Sequence, residues 1–227
     1  MGPGASNHSP SENELAELSR AYTIAILTGD EVAAEATIRE ALDARVPMAD
    51  IDDQIIAPAL WYVGELWERG EITIADEHLA TEISIRVLAL HREARRLAVH
   101  RRRSTVMLAA PSGERHVVAL EMVAALLREA GYRVLMLGGD VPPSALAIAA
   151  ERHKPEVIAM SATMPGGGDR VVIAADEVQQ RWPGARFVVG GRALTSRLAA
   201  RPGMEPCERV AEVVETVDAV LKRAELN

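Results

Sequence analysis

The sequence predicts an α/β protein in two parts, an N-terminal four-helix bundle followed by a doubly wound domain built on a parallel sheet. Two patterns carry this. From Ser11 to Arg103 apolar residues recur every three or four positions, the period of a helix buried on one side. Beyond Arg103 short runs of Val, Ile, Leu and Met alternate with helical stretches, as in a parallel sheet covered on both faces. With 227 residues, 48% of them hydrophobic, the chain has core enough for both. The expected division is a disordered lead-in over 1–10, a bundle over 11–103 and a sheet domain over 104–227.

Each element has a local reason. "SENELAELSRAYTIAILTG" opens on Ser11 as a cap, and "DEVAAEATIREALDARV" does the same behind Asp30. "ADIDDQIIAPALWYVGELWERG" runs to a stop at Gly70, and a long fourth helix follows Thr73. Short turns between four such helices predict a bundle. In the second part the expected strands are "TVMLAA" from Thr105, "YRVLMLG" from Tyr132, "EVIAMSA" from Glu156 and "RFVVGG" from Arg186. A weak fifth is expected at Cys207–Val210. Helices are expected over Val117–Ala130, Pro143–His153, Gly168–Arg181, Leu194–Ala200 and Val210–Ala224. The charged "HRRRS", residues 100–104, reads as a solvated hinge.

Composition excludes several functions. A net charge of −8 supplies no basic field for nucleic acid. Cys207 is the sole cysteine, so neither an internal disulfide nor a cysteine-built zinc site is available. No apolar run approaches the ~20 residues of a membrane span. The first residues lack the charged and apolar regions of a signal peptide, and a cytoplasmic protein is expected.

A doubly wound sheet binds ligands at the carboxyl ends of its strands. Here those ends are "PSGERH", "GGDVPP", "SATMPGGG" and "GGRAL". The first is neither G-x-G-x-x-G nor a phosphate-cradling G-x-x-x-x-G-K-[ST], so a dinucleotide or nucleoside triphosphate is not the ligand these loops describe. His116 has no His or Cys beside it to complete a protein-built metal site. One imidazole suffices when the metal arrives inside a macrocycle that supplies the equatorial ligands. Glu114 would then hold the ring in one tautomer, and the small residues Ser161, Thr163, Gly190 and Gly191 would admit a long ligand tail. From the residues alone, a turn histidine bonded to water stays open as the alternative.

The ordered set Glu114-x-His116-x-x-Ala119, Ser161-Ala162-Thr163 and Gly190-Gly191 resembles the cobalamin-binding domain. Its D-x-H-x-x-G loop gives the lower cobalt ligand, and its S-x-L or S-x-T and G-G line the slot for the nucleotide tail. The resemblance makes His116 the metal ligand and places Arg115 and Val117 beside it against the cofactor. Glu for Asp is the variant associated with light-sensing members; Ala119 for Gly is a departure.

In the helical part, Trp67 precedes Glu77-His78 with nine residues between. This spacing is similar to that of the CarH-type light-dependent regulators, whose bundle covers the upper face of adenosylcobalamin. The resemblance, over roughly residues 15 to 220, implies that Trp67 packs on the adenosyl group, Ile74 narrows the pocket, and Glu77 and His78 meet its polar atoms. A core Trp67 and a Glu77 that complements the helix dipole are the plainer alternatives. Glu68 stands where the family has a histidine that becomes the upper ligand after illumination. The lead-in before Glu12 is too short for the family's MerR-type DNA-binding domain, so a sensory module without it is expected. Stand-alone relatives, the photocobilins, carry a bilin (biliverdin) beside the cobalamin, and this chain is compatible with that arrangement.

The resemblance thus implies a light sensor and not an enzyme. Light-dependent homo-oligomerisation would signal to an unidentified downstream partner, with no direct nucleic-acid or membrane contact. Two other readings share the architecture: a corrinoid protein carrying methyl groups for a methyltransferase, and a cobalamin binding or delivery protein.

Overall fold

The computed structural model describes residues 11–94, 104–194 and 201–225. The chain divides into two compact units, Met1–Ala94 and Arg95–Asn227.

In the first unit, α1 (Glu12–Leu27) starts at a reciprocal box in which Ser11 and Glu14 satisfy each other's main-chain N–H groups. Helix α2 (Glu31–Asp43) starts at Asp30, whose side chain accepts the N–H of Ala33. The third expected helix forms, but with a change of winding inside it. Helix α3 (Met48–Ile51) passes into a π-helical turn, Asp52–Ile56, and then into α4 (Ala57–Glu68). Pro58 supplies the reason: it has no N–H and its ring crowds the carbonyl four residues back. The ladder shifts instead, and Ala57 N–H bonds to the Asp52 carbonyl five residues away. Helix α5 (Ile74–Ala94) begins behind Thr73, whose N–H and hydroxyl both donate to Asp76 at 2.8 and 2.6 Å. Its expected continuation to His100 lies outside the described residues.

The bundle closes on Tyr22, Ile26, Ile38, Ile55, Ile83 and Leu88, all shut off from solvent. One polar line crosses this core. Tyr22 donates its hydroxyl to Ser84 Oγ at 3.0 Å, and Ser84 donates to the Ala80 carbonyl at 2.8 Å. Burial pushes the Tyr22 phenol up to about 12; the Ser84 bond opposes this and the nearby Asp52 charge adds to it.

The second unit is a five-stranded parallel sheet of order β2-β1-β3-β4-β5. Its strands are β1 (Thr105–Pro111), β2 (Arg133–Val141), β3 (Val157–Ser161), β4 (Arg186–Gly190) and β5 (Met204–Pro206). Helices α6 (Val118–Glu129), α7 (Pro143–His153) and α8 (Gly167–Arg181) make the crossovers, and α9 (Val213–Glu225) closes the described chain. Met107, Ile158, Met160, Val171, Phe187 and Val189 form the core between the sheet and its α7–α8 layer. Because β1 pairs with β2 on one side and β3 on the other, the strand order reverses beside β1, the place where sheets of this kind bind ligands.

The fifth strand forms at Met204–Pro206, ahead of the expected Cys207–Val210. As an edge strand it tolerates Pro206, which lacks a donor, and Cys207 ends the pairing with its N–H on the Val189 carbonyl at 2.8 Å. Residues 195–200 of the helix expected over Leu194–Ala200, and residues 100–103 of the "HRRRS" hinge at 100–104, lie outside the described residues. No helix among the described residues is long and apolar enough to cross a membrane.

Candidate functional site

At the carboxyl end of β1 the chain turns through Ser112–Val117 into α6. Glu114 in that turn has no exposed surface, while the His116 side chain is 42% exposed. The buried carboxylate is fully engaged. Its Oε1 accepts the main-chain N–H of His116 at 3.0 Å and stands 2.5 Å from His116 Nδ1. Its Oε2 accepts the main-chain N–H groups of Thr163 and Met164 at 2.6 and 2.9 Å. Burial alone would push this carboxyl up; the His116 bond and the Met164, Thr163 and His116 amides outweigh it and hold it down at about 2. Glu114 is therefore ionised at neutral pH and can only accept. The proton of the His116–Glu114 bond accordingly sits on Nδ1, which makes Nε2 the ring atom that would meet a metal.

The same set of bonds joins two loops, since Thr163 and Met164 follow β3 whereas Glu114 follows β1. Ser161, at the end of β3, is buried and pairs with Gly190 of β4. The small residues expected to line a slot are also required by the chain itself. A side chain on Gly190 would stand 2.9 Å from the Cys207 carbonyl oxygen, and one on Gly191 only 2.3 Å from that of Ala162. Gly191 also has φ +94°, in the region that favours glycine. Arg115 is exposed, and Val117 and Ala119 are half-buried. Cys207 donates its thiol to the Arg209 carbonyl at 3.2 Å.

Sequence reasoning named the "GGDVPP" strand end but missed what it does. Gly139 and Asp140 of β2 pack against the histidine loop: a side chain on Gly139 would stand 2.9 Å from the Glu114 carbonyl oxygen and 3.0 Å from Val117. Two glycines before an acidic residue at a strand end were the available signal.

In the first unit, Trp67 is half-buried in the last turn of α4, and Glu68 beside it is exposed. Gly70, at φ +71°, turns the chain toward α5. At the start of α5, Glu77 is buried; it accepts the Thr81 hydroxyl at 3.1 Å and stands 2.5 Å from His78 Nδ1. The His78 side chain is 71% exposed, and Ile74, one turn before it, is also exposed. The turn through Gly70 thus holds Trp67, Ile74, Glu77 and His78 at one end of a helical hairpin. Each unit presents a solvent-accessible imidazole, partly exposed in His116 and exposed in His78, whose Nδ1 is held by a buried carboxylate.

Among the described residues, no three His, Cys, Asp or Glu side chains gather into a metal site. A cofactor that carries its own equatorial ligands and needs one imidazole fits this donor set.

Both units match models described as B12 binding domains, the first over residues 18–90 and the second over 104–214. The chain is 32% identical over 170 residues to the HTH-type transcriptional repressor CarH of Myxococcus xanthus, a match covering 74% of this chain and 54% of that protein. It thus spans about half the length of CarH. It is 27% identical over 203 residues to trimethylamine corrinoid protein 1 of Methanosarcina acetivorans, covering 87% of this chain and 94% of that one. Among solved structures, the monomethylamine corrinoid protein of Methanosarcina barkeri aligns with a TM-score of 0.72 at 20% identity, over 90% of this chain and 98% of that chain. The chain belongs to the B12-binding proteins, as a helical cap domain followed by a Rossmann-like domain, and its cofactor is cobalamin.

Proposed function

We propose that the protein is an adenosylcobalamin-dependent light sensor whose state is read out through self-association. The observation that carries this is the helical hairpin of the cap, where half-buried Trp67 and the carboxylate-held His78 sit at one end. An indole covers an adenine-bearing group well, and an oriented imidazole beside a buried carboxylate suits a ribose or amide. The 32% identity to CarH supports the same reading. When bound, the corrinoid supplies a cobalt–carbon bond, which light can break or from which a group can be transferred.

In this reading His116 Nε2 would hold the cobalt, with its tautomer fixed by Glu114, and Arg115 and Val117 would adjoin the cofactor. Ser161, Thr163, Gly190 and Gly191 border the tail. Trp67, Ile74, Glu77 and His78 would hold the adenosyl group, and these contacts would exist only while that group is bound. Contacts made in one state only are what a two-state switch requires.

A second reading, a corrinoid protein carrying methyl groups for a methyltransferase, is favoured by the near end-to-end match to the trimethylamine corrinoid protein and by Glu68 in place of a second axial imidazole. Absorption spectra of protein loaded with adenosylcobalamin, before and after green light, decide between them when paired with light scattering on a sizing column. The sensor reading expects a lasting spectral change with a change in mass. Complete photolysis at unchanged mass puts the carrier ahead. A red band after incubation with biliverdin would add the bilin as a second chromophore.

A further inference from the structure

The loop that carries Glu114 and His116 is tied to the β3 loop through the Glu114 carboxylate. A second restraint comes from the end of β2. Met136 and Gly138 pair with Leu108 and Ala109, and Val141 with Pro111, so β2 gains one residue in each of two consecutive intervals. A bulge of this kind bends a strand end and re-aims it. Here it curls Gly139 and Asp140 onto the histidine loop.

Asp140 makes two bonds there. Its carboxylate Oδ1 accepts the main-chain N–H of Gly113 at 2.7 Å, and its own N–H donates to the Glu114 carbonyl at 2.7 Å. It does so at φ +54°, a conformation a non-glycine residue adopts at a cost. The contacts therefore fall on both sides of the Glu114 Cα, the atom from which the histidine-holding carboxylate departs.

We propose that Asp140 is a positioning residue for the cobalt ligand, fixing the Gly113–Glu114 segment and, through Glu114, the imidazole of His116. This rests on the reading of His116 as the lower ligand. Two substitutions keep the left-handed backbone while separating the side chain's part. Asp140→Gly adopts positive φ freely but removes the acceptor; Asp140→Asn tolerates it and keeps an amide oxygen for Gly113.

The test is electron spin resonance of bound cob(II)alamin in protein labelled with 15N-histidine. A protein imidazole splits the lines into doublets, and the cofactor's own benzimidazole splits them into triplets. Wild type should give doublets. Asp140→Gly should shift the ratio toward triplets about fivefold, the loss expected from one hydrogen bond, and Asp140→Asn should restore doublets. In wild-type apoprotein, the Gly113 amide should exchange with solvent at least roughly tenfold more slowly than an open loop amide, since each closed bond must first break. Doublets undiminished in Asp140→Gly, an equal loss in Asp140→Asn, or a Gly113 amide that exchanges as an open one would each overturn the proposal. His116→Ala separates the two questions: doublets that survive it remove the ligand assignment itself.

Discussion

The carboxylate of Glu114 accepts the main-chain N–H of Thr163 at 2.6 Å, across 49 residues of sequence. The loop after β3 therefore fixes the residue that fixes His116. One methylene more than Asp gives the carboxylate added reach, and its partners there are two main-chain amides that no substitution of Thr163 or Met164, short of proline, removes. The orientation of His116 thus depends on main-chain geometry in the β3 loop as well as on side chains.

Replacing Glu114 should destabilise the apoprotein in a pH-dependent way. Glu114→Gln sets an amide NH2 against main-chain donors, at a cost of about 2–3 kcal/mol near neutral pH. The Glu114 carboxyl is held at about 2 from an ordinary 4.5. A depressed value gives stability that is present above about 4.5 and lost as pH falls toward 2, by roughly 3 kcal/mol by linkage. Urea unfolding from pH 7 to 3 should show wild type and variant converging as the solution is acidified. A gap that stays constant would count against the ionised, amide-held carboxylate.

At the other end of the scale, Tyr22 governs alkaline stability. Its phenol is raised from 10 to about 12, so the neutral form favours folding. That stability is complete below pH 10 and lost as pH climbs to about 12, by roughly 2–3 kcal/mol. Tyr22→Phe should cost about 1 kcal/mol at neutral pH through the lost Ser84 bond and should flatten the alkaline fall. Denaturation midpoints at pH 8 to 11.5 for both proteins provide the check.

For His116→Ala, cobalamin should bind at least about tenfold more weakly, or bind with its benzimidazole still on cobalt. Titration followed by absorbance reads both. The apoprotein should keep its unfolding midpoint within a few degrees, because the ring is partly exposed and its neighbours stay bonded to Glu114.

Trp67→Ala should distinguish upper ligands. Loss of stacking on an adenosyl group is worth roughly 1–3 kcal/mol by the scale of base–aromatic contacts. Affinity for adenosylcobalamin should drop by that amount, and affinity for methylcobalamin by clearly less. Equal losses would return Trp67 to the hydrophobic core.

The sequence carried the architecture because each unit obeys one period: three to four residues in the bundle, short apolar runs between helices in the sheet. It also pointed to Glu114 and His116 as a pair, and the structure bonds them, because a carboxylate and an imidazole two residues apart at a strand end can reach each other. The amides of Thr163 and Met164 were out of reach, since every residue has one and only tertiary geometry decides which are aimed. The Asp140 bonds were hidden for a related reason: a bulge changes register by one residue and leaves the apolar pattern of β2 intact. The glycines were legible as small residues, but not the Cys207 and Ala162 carbonyls that make them small.

The π turn at Asp52–Ile56 bears on how this chain can change length. An α-helix advances about 100° per residue, so one residue added to or deleted from plain helix swings everything beyond it to another side. A π turn already contains one residue beyond the α repeat, absorbed without that swing. Removing a residue there, together with the constraint at Pro58, would restore ordinary winding and leave Trp67 facing as before. A deletion between Ala57 and Leu66 would instead rotate the indole by about a quarter turn. The π turn is thus a place where evolution or an engineer can edit length without turning Trp67, and it lies more than two helical turns from that residue.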